Sequence, residues 1–388
     1  MFGSLRVLEF GEGLAGSIAA AHLAQFGATV YRAEDTEGDW TRGVPPLAPD
    51  QSSALFAVLN RGKRGISLAF RNEAQLSELL TLAGKVDVVI FDRTMQDGEA
   101  ALALRNRLAA AKSPKTIFCS VSAYGDRGNW AARPGSELVA QAASGYWRYI
   151  TGPDEDPLRV GAYISHVATA VFAAQAIMAA LWKRAEDKGA RGEIVEVNLL
   201  QSLLAMKTHH IAAQYGPDRW EGTRVTSATD SPQYGWKAGD GKHLVFSFGF
   251  GTGRAEGWRE FCREVGMTDQ EIDEQLSEGA LQTTGIGKAA NRLRSLYEKF
   301  FEKFTATEIV ALCRKRGGTA ALYDDYAGIM AGHIEKRHIF EPARLGDTVL
   351  KAIGVPWLMD GAAVGGGDAV PEREGKSVSK VLQELSGS

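Results

Sequence analysis

Cysteine is scarce in this chain, with Cys119, Cys262 and Cys313 the only three among 388 residues. An odd number at wide spacing builds neither a disulfide framework nor a metal cluster, so core or incidental thiols in a reducing, cytoplasmic setting are expected. Other metal ligands are no better placed. His209 and His210 are neighbours that diverge on a helix, and His333 and His338 fall in a charged helix-and-turn region. No excess of positive charge exists either: 44 Lys and Arg stand against 47 Asp and Glu, a net charge of −3. That balance gives no electrostatic case for a nucleic-acid partner or an anionic membrane surface. The N-terminus lacks a basic, apolar leader and starts at once on the strand-like Leu5-Arg6-Val7-Leu8-Glu9-Phe10. The most apolar stretch, residues 167–182, is shorter than a membrane span and contains Gln175, so no membrane partner is expected.

What is present is ordinary globular composition, 45% hydrophobic and 23% charged, in a chain longer than one core usually organises. Strand patterns at 6–10, 29–33, 65–70, 86–91, 116–121 and 193–197 alternate with helical ones at 18–26, 73–83, 98–111 and 165–183. That alternation predicts an α/β fold with a parallel sheet covered on both faces. A helix over 199–215 follows, and near residue 220 Trp, Gly, Asp and Ser become frequent. The expected division is a large Rossmann-like domain over 1–219, a smaller α/β domain over 220–325, and a return to the large domain over 326–388, closed by an amphipathic helix near 377–385.

Between the first strand and helix lies Gly11-Glu12-Gly13-Leu14-Ala15-Gly16, a literal G-x-G-x-x-G, with Glu34 at the end of the second strand. In that context the glycines would admit a pyrophosphate and Glu34 would accept from a ribose hydroxyl, the arrangement of an NAD(P)-binding oxidoreductase. The alternative is a tight, ligand-free strand-to-helix turn. The rest of the chain supplies no dehydrogenase-like catalytic set.

Four stretches together point elsewhere. They are Leu14-Ala15-Gly16-Ser17 with Phe26-Gly27-Ala28-Thr29-Val30-Tyr31-Arg32-Ala33-Glu34; Gly38-Asp39-Trp40-Thr41-Arg42-Gly43; Leu59-Asn60-Arg61-Gly62-Lys63-Arg64-Gly65-Ile66-Ser67-Leu68; and Gln141-Ala142-Ala143-Ser144-Gly145 with Thr151-Gly152, Gly189-Ala190-Arg191-Gly192 and Val195-Glu196-Val197. In this order and separation they resemble family III CoA-transferases, the CaiB/BaiF family. The resemblance implies a Rossmann-like large domain, a small domain and two chains interlocked as a dimer, either a homodimer or a heterodimer with a paralogous subunit. It also implies coenzyme A as a substrate thioester, with an acyl-CoA and a carboxylic acid as reactants and no metal. By position, Leu14, Leu68, Arg71, Asp92, Arg133 and Ser136 would belong to the CoA site. Asp35 stands where the family commonly has an arginine, and would repel a CoA phosphate.

In the family an aspartate attacks the acyl-CoA and carries CoA as an enzyme thioester. The matching segment here is Gly161-Ala162-Tyr163-Ile164-Ser165-His166-Val167-Ala168-Thr169-Ala170, which puts His166 in the aspartate's place. Glu137 falls on an acidic position that assists catalysis in some transferases. Three readings stay open for His166. It acts as nucleophile or general base with Glu137 as partner; Glu137 or Asp154-Glu155-Asp156 supplies a replacement carboxylate; or the chain is a catalytically silent subunit. Gly249-Phe250-Gly251-Thr252-Gly253 reads equally as a mobile lid or an ordinary turn, and Tyr124, Gly125, Asp126 and Trp130 as shaping the mouth of the site.

Overall fold

Short, mostly apolar runs rich in β-branched and aromatic residues, such as Val88–Asp92 (β4) and Ile117–Ser122 (β5), are strands buried on every residue. They sit in the middle of a sheet because only a sheet covered on both faces tolerates such runs. In the computed structural model, which describes residues 2–48, 51–95, 98–147, 156, 159–187, 189, 191–212, 215, 235–248, 254–277, 296–331 and 340–386, six parallel strands form that sheet. The others are Arg6–Gly11 (β1), Thr29–Asp35 (β2), Arg64–Leu68 (β3) and Ile194–Asn198 (β6), and the spatial order is β3-β2-β1-β4-β5-β6. Val7 pairs with Val30 on one side and Val88 on the other, so the strand order reverses between β1 and β4. Crevices open at the carboxyl ends of strands at such a reversal.

Alternation along β1 sends Leu8 and Phe10 to one face and Glu9 to the other. Leu8 and Phe10 join Ile66, Val89 and Phe118 under Glu73–Ala83 (α3), Gly98–Ala111 (α4) and the helix Val378–Ser386, which contributes Val378 and Val381. The opposite face packs against Leu14–Gln25 (α1) and Ile164–Glu186 (α6). These two helices also pack on each other. Many of their buried residues are small (Ala15, Ala19 and Ala20 on α1; Ala170, Ala173 and Ala174 on α6), which permits a close approach.

The large α/β sheet is as expected, and three features differ from the sequence expectation. Helix α6 runs for 23 residues rather than 165–183, long and apolar enough by composition to cross a membrane, yet Ala168, Ala173 and Ile177 are buried against protein here. The helix expected over 199–215 breaks into Leu199–Met206 (α7) and Thr208–Ala212 (α8). The loop region after β2 holds an unforeseen helix, Ala54–Asn60 (α2), capped by the Ser53 hydroxyl, which accepts from the Phe56 N–H.

The chain divides into two units: residues 1–144, 161–206 and 333–388, and residues 145–160 with 207–332. The second unit has an antiparallel sheet of Trp236–Lys237 (β7), His243–Ser247 (β8) and Thr319–Leu322 (β9). Phe246, Phe248, Trp258, Phe261 and Phe301 form its aromatic core, with the Trp258 indole N–H donating to the Tyr297 hydroxyl at 2.9 Å. A hairpin of Phe340–Leu345 (β10) and Thr348–Ile353 (β11) belongs to the first unit and packs on α2.

Candidate active site

Helix α6 begins without a side-chain cap of its own, since Tyr163 at its N-cap makes no such bond and no acidic residue occupies its first turn. Its free N–H groups therefore need an acceptor from elsewhere. Glu137, the first residue of Glu137–Ala143 (α5), supplies it. The Glu137 carboxylate accepts from the Ser165 N–H at 2.8 Å, the Ser165 hydroxyl at 2.6 Å, the His166 N–H at 3.2 Å and Gln141 Nε2 at 2.6 Å. It also meets His166 Nδ1 at 2.7 Å. Burial pushes the Glu137 pKa up, but the bonds from His166, Gln141 and Ser165 prevail and hold it at about 2. An ionised carboxylate only accepts, so Nδ1 of His166 is the donor in this contact.

His166 is 2% exposed, and its Nε2 is buried with no hydrogen-bond partner among the described residues. Tyr163 places its ring edge-on to the imidazole at 6.0 Å between centroids. The result is an imidazole oriented through one nitrogen, with the other left unsatisfied.

The glycine turn is explained by Asp92 at the end of β4. A Cβ on Gly13 would fall inside the Asp92 carboxylate, one on Gly11 would overlap the Asp92 carbonyl, and one on Gly16 would stand 2.7 Å from Asp92 Cβ. Asp92 Oδ2 accepts from the Gly16 N–H at 2.6 Å, and Oδ1 accepts from the Thr94 N–H and hydroxyl at 2.9 and 2.8 Å. The three glycines thus make room for an internal carboxylate at the N-terminus of α1, the place a phosphate takes in a dinucleotide site. Burial pushes the Asp92 pKa up, opposed by these bonds and by His166 when its imidazole is protonated.

Beneath this turn lies a buried polar network. Lys63 Nζ donates to Glu9 Oε2 at 3.2 Å and to the Ser17 carbonyl, the Ser17 hydroxyl and Asn60 Oδ1, each at 2.9 Å. Arg32 bonds Glu9 and Asp39. Burial lowers the Lys63 pKa to about 8 despite Glu9. The stretches Gly38–Gly43 and Leu59–Leu68 therefore serve the scaffold. Arg42 holds both oxygens of Glu34 at 2.8 Å, so the acidic residue that a ribose would need is already engaged.

A crevice of about 880 Å³ opens at the carboxyl ends of β1 to β4, lined by Trp40, Phe70, Arg71, Met95 and several carboxylates. The residues expected at a CoA site lie in different environments. Arg71 lines this crevice, while Leu14 and Leu68 are core residues, 4% and 1% exposed. Asp92 fills the glycine turn. Arg133 is exposed and stacks on Trp130, and Ser136 caps α5 by accepting from the Val139 N–H at 3.4 Å. Arg93 is spent on the 125–131 loop, donating to the Ala131 and Gly125 carbonyls and to Asp126. Asp35 closes its own turn, accepting from the Glu37 and Phe70 N–H groups at 3.1 and 3.2 Å.

Of the other candidates, Asp156 is exposed, whereas Asp154, Glu155, the 249–253 loop, His333 and His338, and the side chains of His209 and His210 lie outside the described residues. Among the described residues no group of three His, Cys, Asp or Glu side chains is arranged to hold a metal. Sequence reasoning did not assign Ser165 and Gln141 as donors to Glu137, nor Glu12, Glu37 and Trp40 to the crevice. The available signal was an acidic residue closing an otherwise apolar, fully buried strand, as Asp92 does, since such a charge demands donors.

The model of CoA-transferase family III matches residues 3–375. A mouse succinyl-CoA:glutarate CoA-transferase is 32% identical over 309 residues, covering 78% of this chain and 67% of that protein. A formyl-CoA:oxalate CoA-transferase of Streptomyces avermitilis is 30% identical over 244 residues, covering 60% and 59%. Among solved structures, a CaiB/BaiF family protein from Brucella suis superposes with a TM-score of 0.79 at 23% identity, covering 98% of each chain.

Proposed function

Because the chain belongs to CoA-transferase family III, we propose that it acts on acyl-CoA thioesters, with His166 in the position of the family's aspartate and Nε2 of that imidazole as the reacting atom. The observation that carries this is a buried imidazole held through Nδ1 by an ionised Glu137, with Nε2 without a partner among the described residues. A base positioned by a carboxylate in this way is the common form of a catalytic histidine.

The chemistry of the changed residue narrows the reaction. A carboxylate side chain has a carbonyl carbon on which CoA forms an enzyme thioester; an imidazole has none. His166 therefore fits proton abstraction next to the thioester carbonyl, followed by return of a proton from the imidazolium to the enolate carbon, which isomerises the acyl-CoA, better than a relay of CoA between two acids. An acyl group parked on Nε2 would be exposed to hydrolysis unless water were excluded. Glu137, ionised near neutrality, orients the imidazole and stabilises its protonated form, and is poorly suited to donate a proton itself.

The test is incubation of the purified chain with a panel of acyl-CoAs and carboxylic acids in deuterium oxide, followed by mass spectrometry of the CoA esters, in which isomerisation reads as gained deuterium, and of the protein. Changed esters with the wild type, reduced about 100-fold or more in His166→Ala, support the reading at the usual size of a general-base effect. Turnover unchanged in that variant would discard it. The near-complete burial of His166 favours a second reading, a silent subunit paired with an active paralogous chain. It predicts turnover only after that chain is added. Both readings take the protein as a dimer in the cytoplasm, and light scattering that gives the mass of one chain would exclude the dimer.

A further inference from the structure

We infer that Arg373, carried by the C-terminal segment to the crevice at the ends of β1 to β4, joins Arg71 in holding the phosphate on the ribose of CoA. This rests on the reading of the chain as an acyl-CoA enzyme and adds to it a specificity-determining residue outside the matched motifs. Asp35, at the end of β2, stands where the family commonly has an arginine, so positive charge for a phosphate has to come from elsewhere. Two nearby arginines are committed, Arg32 to Glu9 and Asp39, and Arg42 to both oxygens of Glu34. Arg71 and Arg373 are exposed, and neither is bonded to a carboxylate among the described residues.

Arg373 reaches the crevice wall through its guanidinium. Nη2 donates to the Glu37 carbonyl at 3.0 Å, and Nε lies 3.5 Å from the point where a Cβ on Gly38 would stand. Glu37, Gly38 and Arg71 all line the crevice. A guanidinium has five N–H donors, so one bond to a carbonyl leaves enough of them to grip a phosphate. The backbone on either side of Arg373 is pinned. Arg42 Nη2 donates to the Pro371 and Glu372 carbonyls at 3.2 and 3.3 Å, and the Lys376 N–H donates to the Gly65 carbonyl at 3.0 Å. Asp35 then draws the two arginines to one place. Its Oδ1 accepts from the N–H of Glu37, on which Arg373 rests, at 3.1 Å, and its Oδ2 from the N–H of Phe70, just before Arg71, at 3.2 Å. Trp40 and Phe70 on the same wall offer aromatic surface for the adenine. Glu37, Glu372 and Glu374 are exposed, so water and salt screen their repulsion, whereas a phosphate between two guanidinium groups gains charge-assisted hydrogen bonds.

The experiment is calorimetric titration of the full chain with CoA and with dephospho-CoA, for the wild type, Arg373→Ala and Arg71→Ala. The wild type is expected to bind CoA about tenfold or more tightly than dephospho-CoA, a preference that shrinks as salt is raised. Each variant is expected to weaken CoA by about 3- to 30-fold, a charge-assisted hydrogen bond discounted for an exposed site, and to leave dephospho-CoA within about twofold. A preference unchanged in either variant, equal weakening of both carriers, or no wild-type preference for CoA would each overturn the inference and leave the acyl-CoA reading standing. Binding of neither carrier by the wild type would remove that reading, and this inference with it.

Discussion

The contact between Glu137 and His166 does two jobs that different measurements separate. As a cap, Glu137 neutralises the free N–H groups of α6. As an orienting group, it fixes which nitrogen of His166 is free. The first job has a pH signature. The carboxyl titrates at about 2 in the fold against an ordinary value of 4.5, so between those values the unfolded chain binds more protons than the folded one. Stability therefore rises with pH across that window. The contribution is complete above about 4.5 and disappears as pH falls through about 2. Urea unfolding of the wild type and Glu137→Gln should show a stability gap at neutral pH that narrows as pH drops below about 4.5. A gap constant from neutral pH down to pH ~3 would contradict the ionised cap. His166 was found from its place in the matched segment, and so was Glu137; the donor Ser165 was not assigned, because hydrogen bonding across two helix starts leaves no periodic trace, whereas Gln141, four residues after Glu137 on α5, stood at a spacing that the sequence does show.

At the scale of elements, α1 and α6 share one device. Both pack on the same sheet face, both begin without a side-chain cap, and each takes a carboxylate from another element, Asp92 for α1 and Glu137 for α6. This accounts for the glycine turn without a ligand. Gly13 has φ −86°, a conformation open to any residue, so only the space filled by Asp92 demands glycine there. Gly13→Ala should cost about 1–3 kcal/mol from overpacking. In an Asp92→Gly background the added cost should largely vanish, a coupling measurable by a double-mutant cycle. Additive effects would show that the turn needs its glycine for another reason. The strands and most helices were legible because apolar periodicity marks them. Helix α2 was not, since seven residues between turn signals carry too little pattern, and neither was the hairpin Phe340–Leu345 with Thr348–Ile353, whose first strand is interrupted by Pro342, although the two-residue turn Gly346-Asp347 was a legible hairpin signal. The glycine motif was legible as a motif but ambiguous in meaning, because a phosphate and a carboxylate ask the same of a turn.

Across the whole molecule, the sparse cysteines are core residues. Cys119, Cys262 and Cys313 are buried and free, and burial pushes their thiols up to about 12, 12 and 11. None should react with a maleimide in the native state, and all three should react after unfolding, as mass counting would reveal; native labelling at neutral pH would contradict that burial. The fold of the chain followed from alternating strands and helices, and its family from four motifs, most of whose charged residues prove to hold the scaffold together rather than a ligand. What no pattern could supply is the surroundings of one imidazole, because they are assembled from α5, α6 and the neighbourhood of Asp92. The most direct test of His166 as the reacting base is to hold the intact protein with acyl-CoAs in deuterium oxide and follow deuterium entering the carbon next to the thioester. The account predicts entry with the wild type and about 100-fold or greater loss in His166→Ala. Exchange that persists in that variant, or CoA transfer through a covalent enzyme thioester without exchange, would contradict it.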